Sequence, residues 1–555
     1  MGAGSQAAAQ PSAQGDWLGT LTVAPTAVLH LAFHVKTAPT GLVGTLDSLD
    51  QGVNDLPLAN VDDSHAHLAF DAPQIGGHYA GAWDAAANGY VGEWSQAGKS
   101  WPLTLVHGQV VARHPVVQGL DGVWDGALKV GPLGALRLIV TVSTGSGGTV
   151  GNLQSLDQGP ALIALSGISR DGTKVKFEVT LIGGAFDGDL SADGKTLSGQ
   201  WTQGGHALPL SLTLRPPGAA APVAYKRPQE PKPPYPYRTV EVGYDNPAGH
   251  NHLAGALTLP PGAGPFPVAL LITGSGLQDR DESILGHKPF LVLADYLTRR
   301  GIAVLRVDDR TMGGSTGDVV HSTSADFATD VEAGVAFLKT RPEIDSGKIG
   351  LIGHSEGGMI APMVAVKDPD VAWIVLMAGP GIPGDTLLAE QGRLIRLAMG
   401  MTPEAADKAS AVNAKLIAAV KASKDATEAH DKGKAILIAA GMTDAAAEAA
   451  VGPISSDWFR FFFNYDPAPT LARVRVPILA IDGSLDLQVP PAEDLAAIKA
   501  ATLKNPDVTT VELPGLNHLF QNAKTGAPSE YQTTEETLSP TALKAMGDWI
   551  VAHTR

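Results

Sequence analysis

The sequence predicts a multidomain chain: duplicated all-β N-terminal units, each a small barrel or sandwich, followed by an α/β domain with a helical cap insertion. Three observations predict it. The first 215 residues repeat themselves at one constant offset, a proline-rich segment follows, and apolar strand-like runs then alternate with helix-like patterns.

In the repeat, Trp17 of "GDWLGTL" matches Trp124 of "GVWDGAL", and "GTLDSLDQG" (Gly44–Gly52) matches "GNLQSLDQG" (Gly151–Gly159). "YVGEWSQAGKSWPLTL" (Tyr90–Leu105) matches "LSGQWTQGGHALPLSL" (Leu197–Leu212) in the same register. A register held that long means one unit duplicated with almost no insertions. Runs such as "AVLHLAFHV" and "LRLIVTV" alternate apolar and polar residues between Gly, Asp and Asn, which is strand periodicity with hairpin turns. About eight short strands per copy are expected. The paired Trp residues are expected in the cores, and the shared "SLDQG" is expected to be a turn.

The segment "PPGAAAPVAYKRPQEPKPPYPYR" (Pro216–Arg238) is too rich in proline for a packed helix or a central strand, and reads as an extended, semi-stiff spacer. Beyond it, "PVALLITG" and "IAVLRVDD" read as buried strands, whereas "KPFLVLADYLTRR" and "SADFATDVEAGVAFLKTR" carry apolar residues at helical spacing. Strands alternating with helices imply a parallel sheet covered on both faces. Between Gly384 and about Thr470 the pattern turns Ala-rich and helical and ends in "SSDWFRFFFNYDP", an insertion expected to cover the sheet's active edge. The expected boundaries are a flexible tail at 1–14, β repeats at 15–108 and 119–215, a linker at 216–237, and the α/β domain at 238–555 with its cap at about 384–470.

Hydrophobic residues make up 44% and charged residues 17%, the profile of a soluble globular protein, and no apolar run is long enough to span a membrane. The formal net charge of −16 argues against nucleic acid or an anionic membrane surface as partner. The absence of cysteine excludes disulfides and a thiol nucleophile. No HExxH, clustered ligand spacing or phosphate-binding loop is present, so neither a metal nor a cofactor is expected. The N-terminus "MGAGSQAAAQPSAQGDW" has no basic n-region or apolar h-region, so it is not read as an intact signal peptide.

The chemistry is expected at "KIGLIGHSEGGMIAPM" (Lys348–Met363). Gly-x-Ser-x-Gly occurs twice, around Ser355 and around Ser315, and a Gly-rich chain this long gives on the order of one match by chance. Ser355 has a strand before it and a helix after it, the setting of a nucleophile on a sharp turn. Ser315 lies in the polar loop "DDRTMGGSTGDVV" and reads as a decoy. A serine hydroxyl needs a base, and the base needs an orienting acid, in the chain order Ser, Asp or Glu, His. Asp486 lies in the loop after the strand "PILAIDG", with Asp482 as second choice, and His518 follows the last predicted strand. The oxyanion donors are expected at the N–H of Glu356 and in "LLITGSGLQDRDES", at Ser275 with Gly276 next. The charged Asp279–Glu282 run either holds that loop by ion pairs or is simply solvated. His354 is read as a packing residue. The aromatics Trp458, Phe459, Phe461, Phe462 and Phe463 either anchor the cap or line an acyl pocket, with Trp458, Phe462 and Leu277 as pocket candidates.

In order, "GSGLQDRDE", "FLVLADYLTRRGIAVLRVDDR", "GHSEGG", "DWFRFFFNYDP", "GSLDLQVP" and "LNHLFQ" resemble a family of bacterial α/β-hydrolase-fold serine esterases related to serine-aminopeptidase-like hydrolases. The resemblance covers roughly Arg238 to Arg555. It implies an α/β-hydrolase domain and puts the family's serine, acid and histidine on Ser355, Asp486 and His518. The chain departs from it at Arg310-Thr311, where the family has Arg-Gly. The resemblance also implies short acyl esters as substrates, and export, so a periplasmic or secreted location is favoured over a cytoplasmic one.

Three functions are therefore weighed. The first is a serine carboxylic ester hydrolase acting through an acyl-enzyme on small-molecule esters. The second is a peptidase or amidase using the same triad, for which Glu356 or the acidic cap would have to hold an amine. The third is a glycan- or protein-binding role for the β repeats. Homo-oligomers through the β units or the cap are compatible with each.

Overall fold

The computed structural model describes residues 12–24, 27–39, 41–49, 53–96, 98–108, 114–129, 135–145, 147–158, 161–204, 206–216, 218–220 and 225–555. Residues 1–11 of the expected tail and residues 50–52 of the first "SLDQG" lie outside them. The chain separates into two compact units, residues 1–131 with 135–223, and residues 132–134 with 224–555.

In the first unit, eight antiparallel strands between Gly15 and His107 close into an up-and-down barrel, the first strand pairing with both the second and the eighth. Closure leaves no open edge. The second copy forms a nine-stranded antiparallel sheet between Gly122 and Leu214. Its two end strands, Ile163–Ala164 and Gly167–Asp171, are not paired to each other, so it remains an opened version of the same barrel. The repeat is visible atom by atom. Trp17 and Trp124 are both fully buried, and each indole N–H donates to the carbonyl four residues earlier, Ala13 at 2.7 Å and Leu120 at 2.8 Å. Trp94 and Trp201 donate to Gln96 and Gln203 in the same relation. The second "SLDQG" makes the expected turn, and its Asp157 is buried against Arg137.

The copies differ in their buried charges. In the first barrel, His34 bridges Asp16 (2.8 Å) and Asp47 (3.2 Å). The bond to Asp47 outweighs burial and, helped by Asp16, raises the His34 pKa from 6.5 to about 9. A base whose folded pKa is raised stabilises the fold fully below pH 6.5 and loses that contribution as the pH rises through 9. Thermal unfolding of wild type and His34→Gln is therefore expected to differ most at or below pH 6.5 and to converge above pH 9. A gap independent of pH would contradict the ion-pair account.

The second unit is built on an eight-stranded sheet. Its strands are β1 (Arg238–Asn246), β2 (Asn251–Leu259), β3 (Phe266–Ile272), β4 (Ala303–Val307), β5 (Ile344–His354), β6 (Val371–Met377), β7 (Ile478–Gly483) and β8 (Val508–Leu513). Their spatial order is β1-β2-β4-β3-β5-β6-β7-β8. The β1–β2 and β2–β4 pairs are antiparallel, and every other pair is parallel. The flanking helices are α1 (Pro289–Thr298), α2 (Ser324–Lys339) and α3 (Glu356–Ala365). The central strands are mainly apolar, as strands covered on both faces must be.

The cap between β6 and β7 holds five helices, α4 (Gly384–Ala398), α5 (Pro403–Lys421), α6 (Ala426–Ala439), α7 (Asp444–Ile454) and α8 (Asp457–Asn464), followed by a short sixth. Four of them start at side-chain caps, where Thr402, Asp425, Thr443 and Ser456 accept from the backbone N–H three residues on. They enclose a small core of their own that includes Leu416, Val420, Leu437, Val451 and Phe463. The short α9 (Ala468–Leu471) leads into β7, and α10 (Pro491–Ala501) and α11 (Pro540–Thr554) complete the layers. Among the described residues no helix is long and apolar enough to cross a membrane.

The later part of the proline-rich segment does not stand off as a spacer. The Arg227 guanidinium donates to the carbonyls of Leu285, Gln532 and Thr534, and Gln229 exchanges hydrogen bonds with Thr537 and Leu538. An extended strip without a partner strand satisfies its neighbours through side chains instead.

Candidate active site

β5 ends at His354, and α3 begins at Glu356. Between them Ser355 holds φ 53° and ψ −115°, a strained conformation for a residue with a side chain. The flanking glycines make the turn possible. A Cβ on Gly353 would lie 2.0 Å from Gly357 O, and one on Gly357 would lie 2.2 Å from Ile272 O. Ser355 N–H donates to Met377 O at 2.8 Å, tying the turn to the end of β6. Ser315, by contrast, is buried in a structural loop, where its hydroxyl donates to Asp308 O and accepts from Ala254 N–H.

Past β7, Asp486 is 3% exposed. Its Oδ1 accepts from the N–H groups of Gln488 (2.7 Å) and Val489 (2.9 Å), and its Oδ2 lies 2.6 Å from His518 Nδ1. His518 is itself buried, in a tight turn held by Asn517, whose Oδ1 accepts from Leu519 and Gln521 N–H. Asp482, the second-choice acid, accepts the N–H of Gly483 and lies beside Asp486, and among the described residues no hydrogen bond joins it to His518. Burial first, and then the Asp486 charge, push its carboxyl well above the usual range. Among the described residues no hydrogen bond joins Ser355 Oγ to His518; such contacts often close only around bound substrate.

The loop after β3 lies directly against the serine: a methyl on Gly274 would be 3.4 Å from Ser355 Cβ. Ion pairs do hold this loop. Arg280 bonds Asp308 at 2.7 Å and Glu241 at 2.5 Å, Asp281 pairs with Arg306, and Asp309 accepts from Thr273 Oγ1 and Gln278 N–H. Burial raises the Asp309 carboxyl to about 7. As the first residue of α3, Glu356 has an N–H with no acceptor inside the helix.

Ser275, Gly276, Leu277, Ser355, Glu356, Trp458 and Phe462 all line one cavity of about 530 Å³ under the cap. Asp486 and His518 stand behind its wall, joined to it through Gln488 and Val489, which line it. The α8 aromatics divide by helix face. Trp458, Phe459 and Phe462 face the cavity, whereas Phe463 is buried in the cap core and Phe461 stacks on Tyr465. The Trp458 indole N–H also donates to Glu356 Oε1 (2.7 Å), which accepts from Ser324 Oγ (2.6 Å) as well. The aromatic group thus divides between the cavity wall and the packing of the cap. Leu387, Leu388 and Gln391 of α4 also line the cavity. No local sequence signal marks them, because they belong to the site only once α4 folds back over the sheet.

Residues 270–525 match a family model described as the alpha/beta hydrolase family. The chain is 26% identical over 282 residues to esterase EstD of Thermotoga maritima, covering 51% of this chain and 61% of that protein. It is 27% identical over 135 residues to acyl-coenzyme A thioesterase 3 of Mus musculus, covering 24% of this chain and 28% of that protein. The chain thus spans less than two thirds of the length of either. A solved esterase structure from Pyrococcus furiosus matches 57% of this chain and 90% of its own at 16% identity, with a TM-score of 0.36. The C-terminal unit is an α/β-hydrolase domain. The curated relatives it matches include an esterase, and an all-β region precedes it in this chain.

Proposed function

We propose that the chain is a serine carboxylic ester hydrolase acting through an acyl-enzyme on small acyl esters. The observation that carries it is the buried 2.6 Å contact between His518 Nδ1 and Asp486, set behind a cavity whose wall holds Ser355 on its strained turn. Ser355 Oγ attacks the acyl carbon while His518 Nε2 takes its proton. Asp486 holds the imidazole with its proton on Nδ1 and stabilises the imidazolium. The N–H groups of Glu356 and Ser275, with Gly276 as the alternative to Ser275, receive the oxyanion. His518 then protonates the leaving alcohol, and a water activated by the same imidazole cleaves the acyl-enzyme.

Ester rather than peptide cleavage is favoured by Glu356. Its Oε1 is engaged by Ser324 and Trp458, and burial raises the carboxyl's pKa, so it makes a poor anchor for a substrate amine. The preference for short acyl chains rests on the family resemblance. Hydrolysis of p-nitrophenyl esters from acetate to laurate tests both parts. kcat/KM is expected to peak among the short chains and to fall by about tenfold or more toward laurate. A peak at laurate would overturn the chain preference. Turnover of an aminoacyl anilide faster than its matched ester would overturn the esterase reading.

A further inference from the structure

His354 is 6% exposed at the end of β5, and both of its ring nitrogens face acceptors. Nδ1 lies 2.9 Å from Glu282 Oε1, and Nε2 lies 3.0 Å from the main-chain carbonyl of His518. A carbonyl oxygen can only accept, so Nε2 carries a hydrogen. The carboxylate oxygen facing Nδ1 already accepts the Gly274 N–H at 2.8 Å, so Nδ1 is called on to donate as well. An imidazole that donates from both nitrogens is an imidazolium. Its partner Glu282 is 4% exposed and holds a left-handed φ of 53°, so the pair is buried and locally strained. Burial opposes the charge, but the Glu282 charge, its hydrogen bond and the His518 carbonyl prevail and raise the His354 pKa. The other charged or titratable groups around the pair are Asp486 on the β7 loop, the His518 ring at 4.8 Å, and Asp309 on the β4 loop.

Each contact ends in a different piece of the site. Gly274 opens the oxyanion loop, His354 immediately precedes the nucleophile, and His518 is the base. We propose that His354 and Glu282 are a positioning ion pair that locks the oxyanion loop, the nucleophile turn and the base loop into one frame. This role rests on the Ser355–Asp486–His518 reading. A packing histidine would need neither a second proton nor a carbonyl from the base itself. Loss of the His354 proton leaves either the carbonyl or the carboxylate without its donor, so the frame loosens at alkaline pH.

The test compares full-length wild type, Glu282→Gln, His354→Gln and the double variant on a p-nitrophenyl ester from about pH 6 to 10. It is joined by ¹⁵N-histidine NMR of the wild type. Both His354 nitrogens are expected to keep their protons at pH values above the ordinary histidine pKa of 6.5. Each single variant is expected to lower kcat on the order of 10²-fold with KM little changed. The double variant is expected to lose no more than the worse single, because the two residues act as one unit. In Glu282→Gln the alkaline limb of kcat is expected to move to lower pH, because the charge that raises the His354 pKa is removed. A His354 that becomes neutral at or below the ordinary histidine pKa, costs that add, or an unmoved alkaline limb would overturn the proposal. The NMR titration needs no variant, so it decides the charge even if the substitutions impair folding. A wild type inert toward esters would count against the hydrolase reading. The rate of Ser355 labelling by a fluorophosphonate, which needs the frame but no ester, would then read the same set of variants.

Discussion

Ser355→Ala is expected to reduce ester turnover by on the order of 10⁵-fold or more while leaving the fold intact. The size of the loss follows from the lack of a substitute. Cysteine is absent, and Ser315 is committed to Asp308 and Ala254 in a structural loop. The fold should tolerate the change because the Ser355 side chain makes no capping hydrogen bond to α3. The strain at φ 53° belongs to the backbone, and alanine carries the same Cβ. The measurement is p-nitrophenyl ester turnover beside the thermal unfolding midpoint. Turnover within tenfold of wild type by a folded variant would remove Ser355 from the mechanism.

Asp486→Asn is expected to cost about 10⁴-fold in kcat, against less than tenfold for Asp482→Asn. The asymmetry follows from the donors around each acid. Two backbone N–H groups pin Oδ1 of Asp486, so an asparagine there keeps its oxygen toward them and turns its NH₂ toward His518 Nδ1. The imidazole is then forced into the tautomer that carries its proton on Nε2, and it can no longer take one from Ser355. Asp482 is a different case: burial and its neighbour already favour its neutral form, which asparagine mimics. Stability should report the same difference. An acid whose folded pKa is raised from 3.8 contributes fully below that pH and loses the contribution as the pH rises toward its folded value. Asp482→Asn escapes this loss, so its unfolding midpoint should gain on wild type as the pH rises. Equal activity losses at the two positions would mean that the acid was misassigned.

The particular residues show which levels of the molecule were legible in sequence. The strained turn at Ser355 was, because it is a local backbone problem: only glycine fits at 353 and 357, and strand and helix periodicity on either side marks the context. The meeting of Asp486 with His518 was, because in a parallel sheet the loops at strand C-terminal ends converge in one place. Choosing Asp486 over Asp482, four positions apart, was a matter of offset from the strand end.

The duplicated β unit was legible as a repeat, since both copies keep their Trp and Gln at matching positions. That the ladder closes in one copy and is interrupted in the other was not, because the interruption depends on Ile163–Ala164 pairing with one neighbouring strand and Gly167–Asp171 with another. The role of His354 was equally hidden. Glu282 and the His518 carbonyl lie 72 and 164 residues away, and nothing local distinguishes a packing histidine from a bridging one.

By itself, the sequence determined the elements, their order, the β duplication and the three candidate triad residues, because each depends on periodicity, turn sterics or chain order. Only the tertiary structure decided which aromatics face the cavity and what His354 holds. Those outcomes depend on side chains brought together across loops and the cap, and such distances are set by packing rather than by position along the chain.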